Sequence, residues 1–221
     1  MIPSKLKKLK IEKEHFRVAI FGSARVGKKD ENYRLVFQLA KLLGSEGIDI
    51  VTGGGPGTME AANAGHKVGD KLNISHSYGL LIKLPKEQRA NAHLDVKKEF
   101  TKFSERLHEF MKLSNAVVVA PGGIGTTLEF FYTLQLVQVR HVKDIPIILI
   151  GWQWKKLIEW LKENPVKQGY ISLNELDSIY YVKTVDDAFL LIKKARELIE
   201  NKEKNIFPRL RKYCGERCNL S

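Results

Sequence analysis

Three things are scarce in this chain: cysteine, acidic residues relative to basic ones, and long apolar runs. No run approaches the roughly 20 apolar residues that cross a bilayer, and the N-terminus lacks the continuous apolar core of a secretion signal. A cytoplasmic protein without membrane association is expected. Two cysteines, Cys214 and Cys218, make no disulfide framework, and a single C-x-x-x-C without nearby partner ligands is weak evidence for metal. Both read as incidental. The six histidines are scattered, and none forms a metal-binding pair on one helix face, so neither a metal nor a cofactor is expected.

The formal charge of +12 is concentrated at the ends. Residues 1–17 hold six Lys or Arg against Glu12 and Glu14, and residues 201–221 hold six against Glu203 and Glu216. Only a third of the excess is left on the body. Basic ends of this kind are usually solvated extensions, so nucleic acid is not the expected partner. The division predicted is a basic N-terminal extension over 1–15, one domain over 16–200 and a basic C-terminal tail over 201–221. A chain of 221 residues with 43% hydrophobic content is long enough to bury one α/β core.

What is present is a repeated order of buried strand, glycine-rich turn and helix. Ala116 to Ala120 precede Pro121-Gly122-Gly123-Ile124-Gly125-Thr126, and an apolar helix-like segment runs from Leu128 to Val139. Ile48 to Thr52 precede Gly53-Gly54-Gly55-Pro56-Gly57-Thr58-Met59-Glu60 and the small-residue helix around Ala61 to Ala64. Arg17 to Ile20 lead into Phe21-Gly22-Ser23-Ala24-Arg25. Parallel sheets bind ligands at the carboxyl ends of their strands, so three such turns converge on one crevice. Backbone N–H groups and a helix N-terminus meeting there suit an anion, and glycine lets it approach closely. Ile145 to Ile150 read as a further strand, and apolar residues at helical spacing follow at Trp154 to Leu161 and Val185 to Ile199. The alternation predicts a doubly wound, mainly parallel α/β sheet of Rossmann type with about six or seven strands in a single domain.

Two common nucleotide motifs fail. Gly22, Gly27 and Lys28 have the Walker A spacing, but Lys29 stands where a hydroxyl would hold magnesium. The pattern G-x-G-x-x-G breaks at Thr58 after Gly53 and Gly55, and at Leu128 after Gly123 and Gly125. Neither ATP hydrolysis nor hydride transfer is supported.

Four motifs, read in order, resemble the LOG family of cytokinin-activating nucleoside 5′-monophosphate phosphoribohydrolases, whose bacterial members long carried a "lysine decarboxylase-like" label. They are Phe21 to Arg25 with Tyr33, Thr52 to Asn63, Leu84-Pro85-x-Glu87-Gln88-x-x-Asn91, and Pro121-Gly122-Gly123-x-Gly125-Thr126-x-x-Glu129. The match covers roughly residues 16 to 152. The resemblance implies hydrolysis of a nucleotide such as AMP or a modified AMP to free base and ribose 5-phosphate, on a Rossmann-like fold that usually dimerises. It also implies that Arg106, eight residues before Ser114, works with Glu129. Family members usually read Arg-Lys at this arginine, whereas Leu107 and His108 follow it here.

The chemistry of that pair is open to argument from the residues. Breaking a ribose-to-base bond passes through a cation-like sugar, which a nearby carboxylate stabilises or supplies with activated water. Glu129 suits either role, and Arg106 would keep it ionised or neutralise charge on the substrate. Without the motif, Glu129 is simply a favourable first-turn carboxylate and Arg106 one charge on a solvated helix face. Gly122, Gly123, Gly125 and Thr126 are assigned to phosphate anchoring. Gly54, Gly55, Gly57, Thr58, Met59 and Glu60 are assigned to the facing wall, with Ser23 as a further donor and Asn91 at the ribose or base edge. Expected partners are a nucleoside monophosphate and further copies of the chain, as a homodimer or higher homo-oligomer with the helix around Phe130 to Val139 contributing to the interface. The competing reading is a non-catalytic carrier or sensor of a phosphorylated ligand, as molybdenum-cofactor carriers are. Lysine decarboxylation is not expected, because pyridoxal phosphate needs a Schiff-base lysine and the two main glycine motifs contain none.

Overall fold

The computed structural model describes residues 15–83 and 89–215. Seven strands form one sheet, every pair parallel: β1 (Arg17–Phe21), β2 (Asp49–Thr52), β3 (Ser77–Ile82), β4 (Val96–Phe100), β5 (Ala116–Val119), β6 (Ile147–Ile150) and β7 (Ile179–Val182). Their order across the sheet is β4-β3-β2-β1-β5-β6-β7. The direction of winding reverses between β1 and β5. A crevice opens at the carboxyl ends of strands at such a switch point.

The helices are α1 (Glu31–Ser45), α2 (Thr58–Gly69), α3 (Phe103–Leu113), α4 (Ile124–Gln138), α5 (Gln153–Leu161), α6 (Val185–Glu200) and α7 (Phe207–Cys214). They cover both faces of the sheet because successive strand residues point to opposite sides. Val18, Ile20, Ile50 and Val118 pack with α1, α2, α6 and α7. Ala19, Phe21, Val51 and Val117 pack with α3, α4 and α5. Strands buried on both faces read as continuous apolar runs, which is why β1, β2, β5 and β6 stand out in the sequence. β4 does not: it is an edge strand whose Lys97, Lys98 and Glu99 are exposed. Charged residues on an edge discourage pairing with another chain.

Caps set the helix starts. Asp30 accepts from the Asn32 N–H at α1, and Thr184 accepts from the Asp187 N–H at α6. The N-cap of α4 is Gly123, which has no side chain to cap it, and the helix begins at Ile124, four residues before the apolar segment seen in the sequence.

The C-terminal region departs from the expectation of a solvated tail. α7 docks on the domain, with Ile206 and Leu210 buried in the core and Cys214 buried and disulfide-bonded. The Tyr180 hydroxyl donates to the Phe207 carbonyl at 3.0 Å, and Arg211 reaches Asp177 at 3.3 Å. Basic residues on the outer face of a short amphipathic helix made it look like a tail. Cys218 and the 1–14 part of the N-terminal extension lie outside the described residues. If α7 belongs to the core, Leu210→Ala should lower the urea-unfolding free energy by about 2–5 kcal/mol. The exposed neighbour change Lys212→Ala should stay within about 0.5 kcal/mol. Two equally silent substitutions would return this segment to the solvent.

Candidate active site

The three glycine turns meet at Ser23. Its N–H donates to the Pro121 carbonyl at 3.2 Å, and its carbonyl accepts from the Thr58 N–H at 2.9 Å. Around this junction lies a cavity of about 510 Å³. It is lined by the β1 end and its turn (Ile20 to Arg25), by Gly53 and Met59, by Leu81 and Ile82 at the end of β3, by Phe103 and Arg106 of α3, and by Gly123, Ile124, Gly125, Thr126 and Glu129. This is the volume range of small-molecule sites.

The turns behave differently. At α4 the N-cap is Gly123 with no side-chain cap, and the first intrahelical bond of the new helix is Thr127 N–H to Gly123 carbonyl at 2.9 Å. The N–H groups of Ile124, Gly125 and Thr126 therefore have no intrahelical acceptor, and all three residues line the cavity. A Cβ on Gly123 or Gly125 would meet nothing within 4 Å, so both sit on open ground. Gly122 is different: a Cβ there would collide with the side chain of buried Thr126, so this glycine serves packing beneath the cradle.

At α2 the helix N-terminus is already engaged. The Thr58 N–H is spent on Ser23, and its hydroxyl is fully buried with no hydrogen-bond partner among the described residues. It packs under Gly22, where a Cβ would lie 2.5 Å from the Thr58 methyl. Gly54 and Gly57 hold φ values of +73° and +68°, which favour glycine, and shape the turn from within. Asn91 is a strap: its amide donates to Gly55 O at 2.9 Å, Gly54 O at 3.2 Å and Asn63 Oδ1 at 2.9 Å. Glu60 points to Lys28, 3.0 Å away.

Of the residues singled out in the sequence, the cavity brings together Ser23, Met59, Arg106, Gly123, Gly125, Thr126 and Glu129. Gly54, Gly55, Gly57, Thr58, Glu60, Asn91 and Gly122 lie behind or beside it. Leu84, Pro85, Glu87 and Gln88 lie outside the described residues. Sequence reasoning missed Gly53, Arg25, Phe103, Leu81 and Ile82 as lining residues. Gly53 carries a signal in retrospect, since a Cβ there would strike Arg106 Nη2 and the Met59 sulfur. Phe103, half exposed at the mouth, has no local signature distinguishing it from a surface residue.

Arg106 and Glu129 form the polar centre. Arg106 is buried, donates from Nε to the Leu80 carbonyl at 2.6 Å, and lies 5.1 Å from the centre of the Phe110 ring. Its Nη1 reaches Glu129 Oε1 at 3.4 Å. Nη2 has no hydrogen-bond partner among the described residues, which leaves donor capacity for a ligand. Burial lowers the affinity of Arg106 for its proton and Glu129 partly restores it, yet a guanidinium stays charged at any working pH.

Burial also governs Glu129. It pushes the carboxyl from 4.5 up to about 7, with Arg106 pulling down and offsetting only part of the shift. This corrects the expectation that Arg106 would hold the glutamate at a depressed pKa. Between the unfolded value and about 7 the folded chain retains a proton that the unfolded chain releases. This group's contribution to stability is therefore lost as pH rises through that window. Carbon-13 NMR of the Glu129 carboxyl should show a midpoint near pH 7. A midpoint at the ordinary value would mean that the arginine outweighs desolvation.

Comparison with known proteins places this site in context. The family model described as "Possible lysine decarboxylase" matches residues 59–194. A cytokinin riboside 5′-monophosphate phosphoribohydrolase from Arabidopsis thaliana is 26% identical over 192 residues, covering 85% of each chain. A pyrimidine/purine nucleotide 5′-monophosphate nucleosidase from Escherichia coli K12 is 28% identical over 131 residues, 55% of this chain and 28% of the longer protein. The molybdenum cofactor binding protein of Rippkaea orientalis shares the fold, with a TM-score of 0.60 at 18% identity over 82% of this chain and 97% of its own. Among the described residues the cavity lining includes no lysine. With the model covering more than half its length and the relatives acting on nucleoside monophosphates, the chain belongs to the "Possible lysine decarboxylase" family, that of the LOG-type phosphoribohydrolases.

Proposed function

We propose that this protein hydrolyses the N-glycosidic bond of a nucleoside 5′-monophosphate, such as AMP or a modified AMP, to the free base and ribose 5-phosphate. The observation that carries this reading is the position of the Arg106 and Glu129 pair, in the same cavity as the uncapped N-terminus of α4. The phosphate binds at Gly123 to Thr126, where backbone donors and the helix dipole favour an anion. Arg25 at the cavity rim adds positive charge, and Phe103, Leu81 and Ile82 offer the base an apolar wall. Phosphate binding far from the reacting carbon supplies energy that orients the sugar against Glu129.

In the reaction the bond from the ribose C1′ to the base nitrogen breaks, and its electron pair leaves with the base, which takes up a proton from solvent water. Water supplies the oxygen to C1′. Glu129 as carboxylate stabilises the cationic sugar, and its raised pKa suits it to take the proton that water releases. Arg106 orients the carboxylate through Nη1, and its Nη2, without a hydrogen-bond partner among the described residues, is placed for a substrate oxygen.

The test is a panel of nucleoside monophosphates incubated with the pure protein and assayed for free base by chromatography. Glu129→Gln keeps shape and removes charge, so kcat should fall at least about 100-fold while nucleotide binding changes little. The corresponding nucleoside should lose far more kcat/KM than a change of base does. Wild-type activity should rise with pH through about 7 as Glu129 ionises. Nucleotide binding without base release in the wild type would favour a carrier or sensor instead, and equal rates in wild type and Glu129→Gln would falsify the role given to this carboxylate.

A homodimer is part of the proposal. Phe130 and Leu134, expected at its interface, are buried within the chain's own core. The surface of α4 nevertheless remains apolar: Ile124 is 88% exposed, Leu128 and Val139 are about half exposed, and Trp160 of α5 stands near the same side. Such surface is normally covered in a soluble protein. Light scattering should give about twice the 25.2 kDa of one chain. Leu128→Asp should shift the protein toward monomer, and a wild-type monomer at micromolar concentration would refute the assembly.

A further inference from the structure

At the opposite end of the sheet from the nucleotide cavity, three potential metal ligands come together around Asp49. Asp49 is fully buried at the start of β2, with His15 just before β1 and His76 just before β3. His15 Nδ1 lies 3.4 Å from Asp49 Oδ1, and His76 Nδ1 lies 3.9 Å from the same oxygen. One ligand atom from each residue falls within 4.8 Å of the others. Ligands around a tetrahedral zinc at ordinary bond lengths of about 2.1 Å stand about 3.4 Å apart, so the cluster needs only small side-chain movements to close on an ion.

The rest of the carboxylate is already fixed as a metal ligand's would be. Arg17 Nε donates to Oδ2 at 3.1 Å, and the His76 backbone N–H donates to Oδ1 at 2.8 Å. Oδ1 also meets His15 Nδ1 in a hydrogen-bond contact, which an ion held between the two would replace. Outer partners of this kind orient a ligating carboxylate. Both histidine side chains are about one-third exposed, which admits an ion and leaves water for a fourth position.

We propose that His15, Asp49 and His76 bind one divalent transition-metal ion of the zinc class. Imidazole and carboxylate together suit zinc and its neighbours rather than calcium or magnesium, which take oxygen donors. Arg17 cancels the Asp49 charge, so the affinity is moderate, in the micromolar range, and short of that of a four-ligand structural site. The ion ties the residue before β1 to the starts of β2 and β3. Its role is to hold these strand ends together, with no part in chemistry at the far edge.

The test uses the full-length chain without an affinity tag, stripped with EDTA and titrated with zinc chloride in a calorimeter. One ion per chain and a rise in Tm of several degrees are expected. In the double variant His15→Ala, His76→Ala, affinity should fall at least tenfold and the Tm response should vanish. Its circular dichroism and any nucleotide turnover should remain those of the wild type. Asp49→Asn is not the variant of choice, because it also unpairs buried Arg17. Absence of zinc binding by the wild type at submillimolar concentration, or unchanged binding in the double variant, overturns the proposal.

Discussion

Parallel pairing of β1 with both β2 and β5 is the constraint on which the site depends. It brings three strand ends to one edge, and Ser23 then joins their turns through one backbone donor and one backbone acceptor. Such close approach leaves no room for side chains. Gly22 lies over Thr58, Gly57 lies against the Ser23 carbonyl, and Gly53 lies against Arg106. The glycines of the first two turns therefore act mainly by letting one turn touch another. In the third turn Gly123 and Gly125 stand open, and Gly123, as the N-cap of α4, has no side chain to fill the helix N-terminus.

The electrostatics of the cavity follow from how deeply this packing buries its charges. A contact of 3.4 Å to Arg106 would ordinarily lower a carboxyl pKa, but loss of hydration at Glu129 is the larger effect. Breaking such a pair is costly, since it leaves one charge buried without its partner. In the proposed reaction, a carboxyl whose pKa is raised to about 7, beside a permanently charged guanidinium, would answer a developing cation while the substrate phosphate is held at the start of α4. The same fold carries molybdenum-cofactor binding proteins, so the pair, rather than the sheet, is what speaks for hydrolysis.

The opposite edge of the sheet shows the same logic with different residues. Register pairs Arg17 with Asp49 and Ile50 with Ser77, and so aligns the starts of β1, β2 and β3. His15, Asp49 and His76 are more than 25 residues apart from one to the next, and no helix spacing relates them. Parallel strands gather residues from distant parts of a chain at both ends, and only one of these edges carries the glycine turns.

The alternation of strands and helices and the three glycine turns were set by the residues alone, whereas the pairing of Arg106 with Glu129 came only through the resemblance to the LOG family. Four strands were legible because burial on both faces demands continuous apolar residues, and the turns were legible because glycine and proline mark them. Tertiary structure alone decided the rest. The charged edge strand β4 is held by its neighbour β3, not by its own pattern, and α7 is held by Leu210 and Cys214 beneath a basic outer face. Thr58 and Asn91 carry the right donors in the right motifs, yet the Thr58 N–H and the Asn91 amide are spent inside the scaffold and the Thr58 hydroxyl is buried beneath Gly22. Whether a polar side chain faces a ligand or a neighbouring turn depends on distances between segments far apart in the chain, and local spacing does not encode those distances.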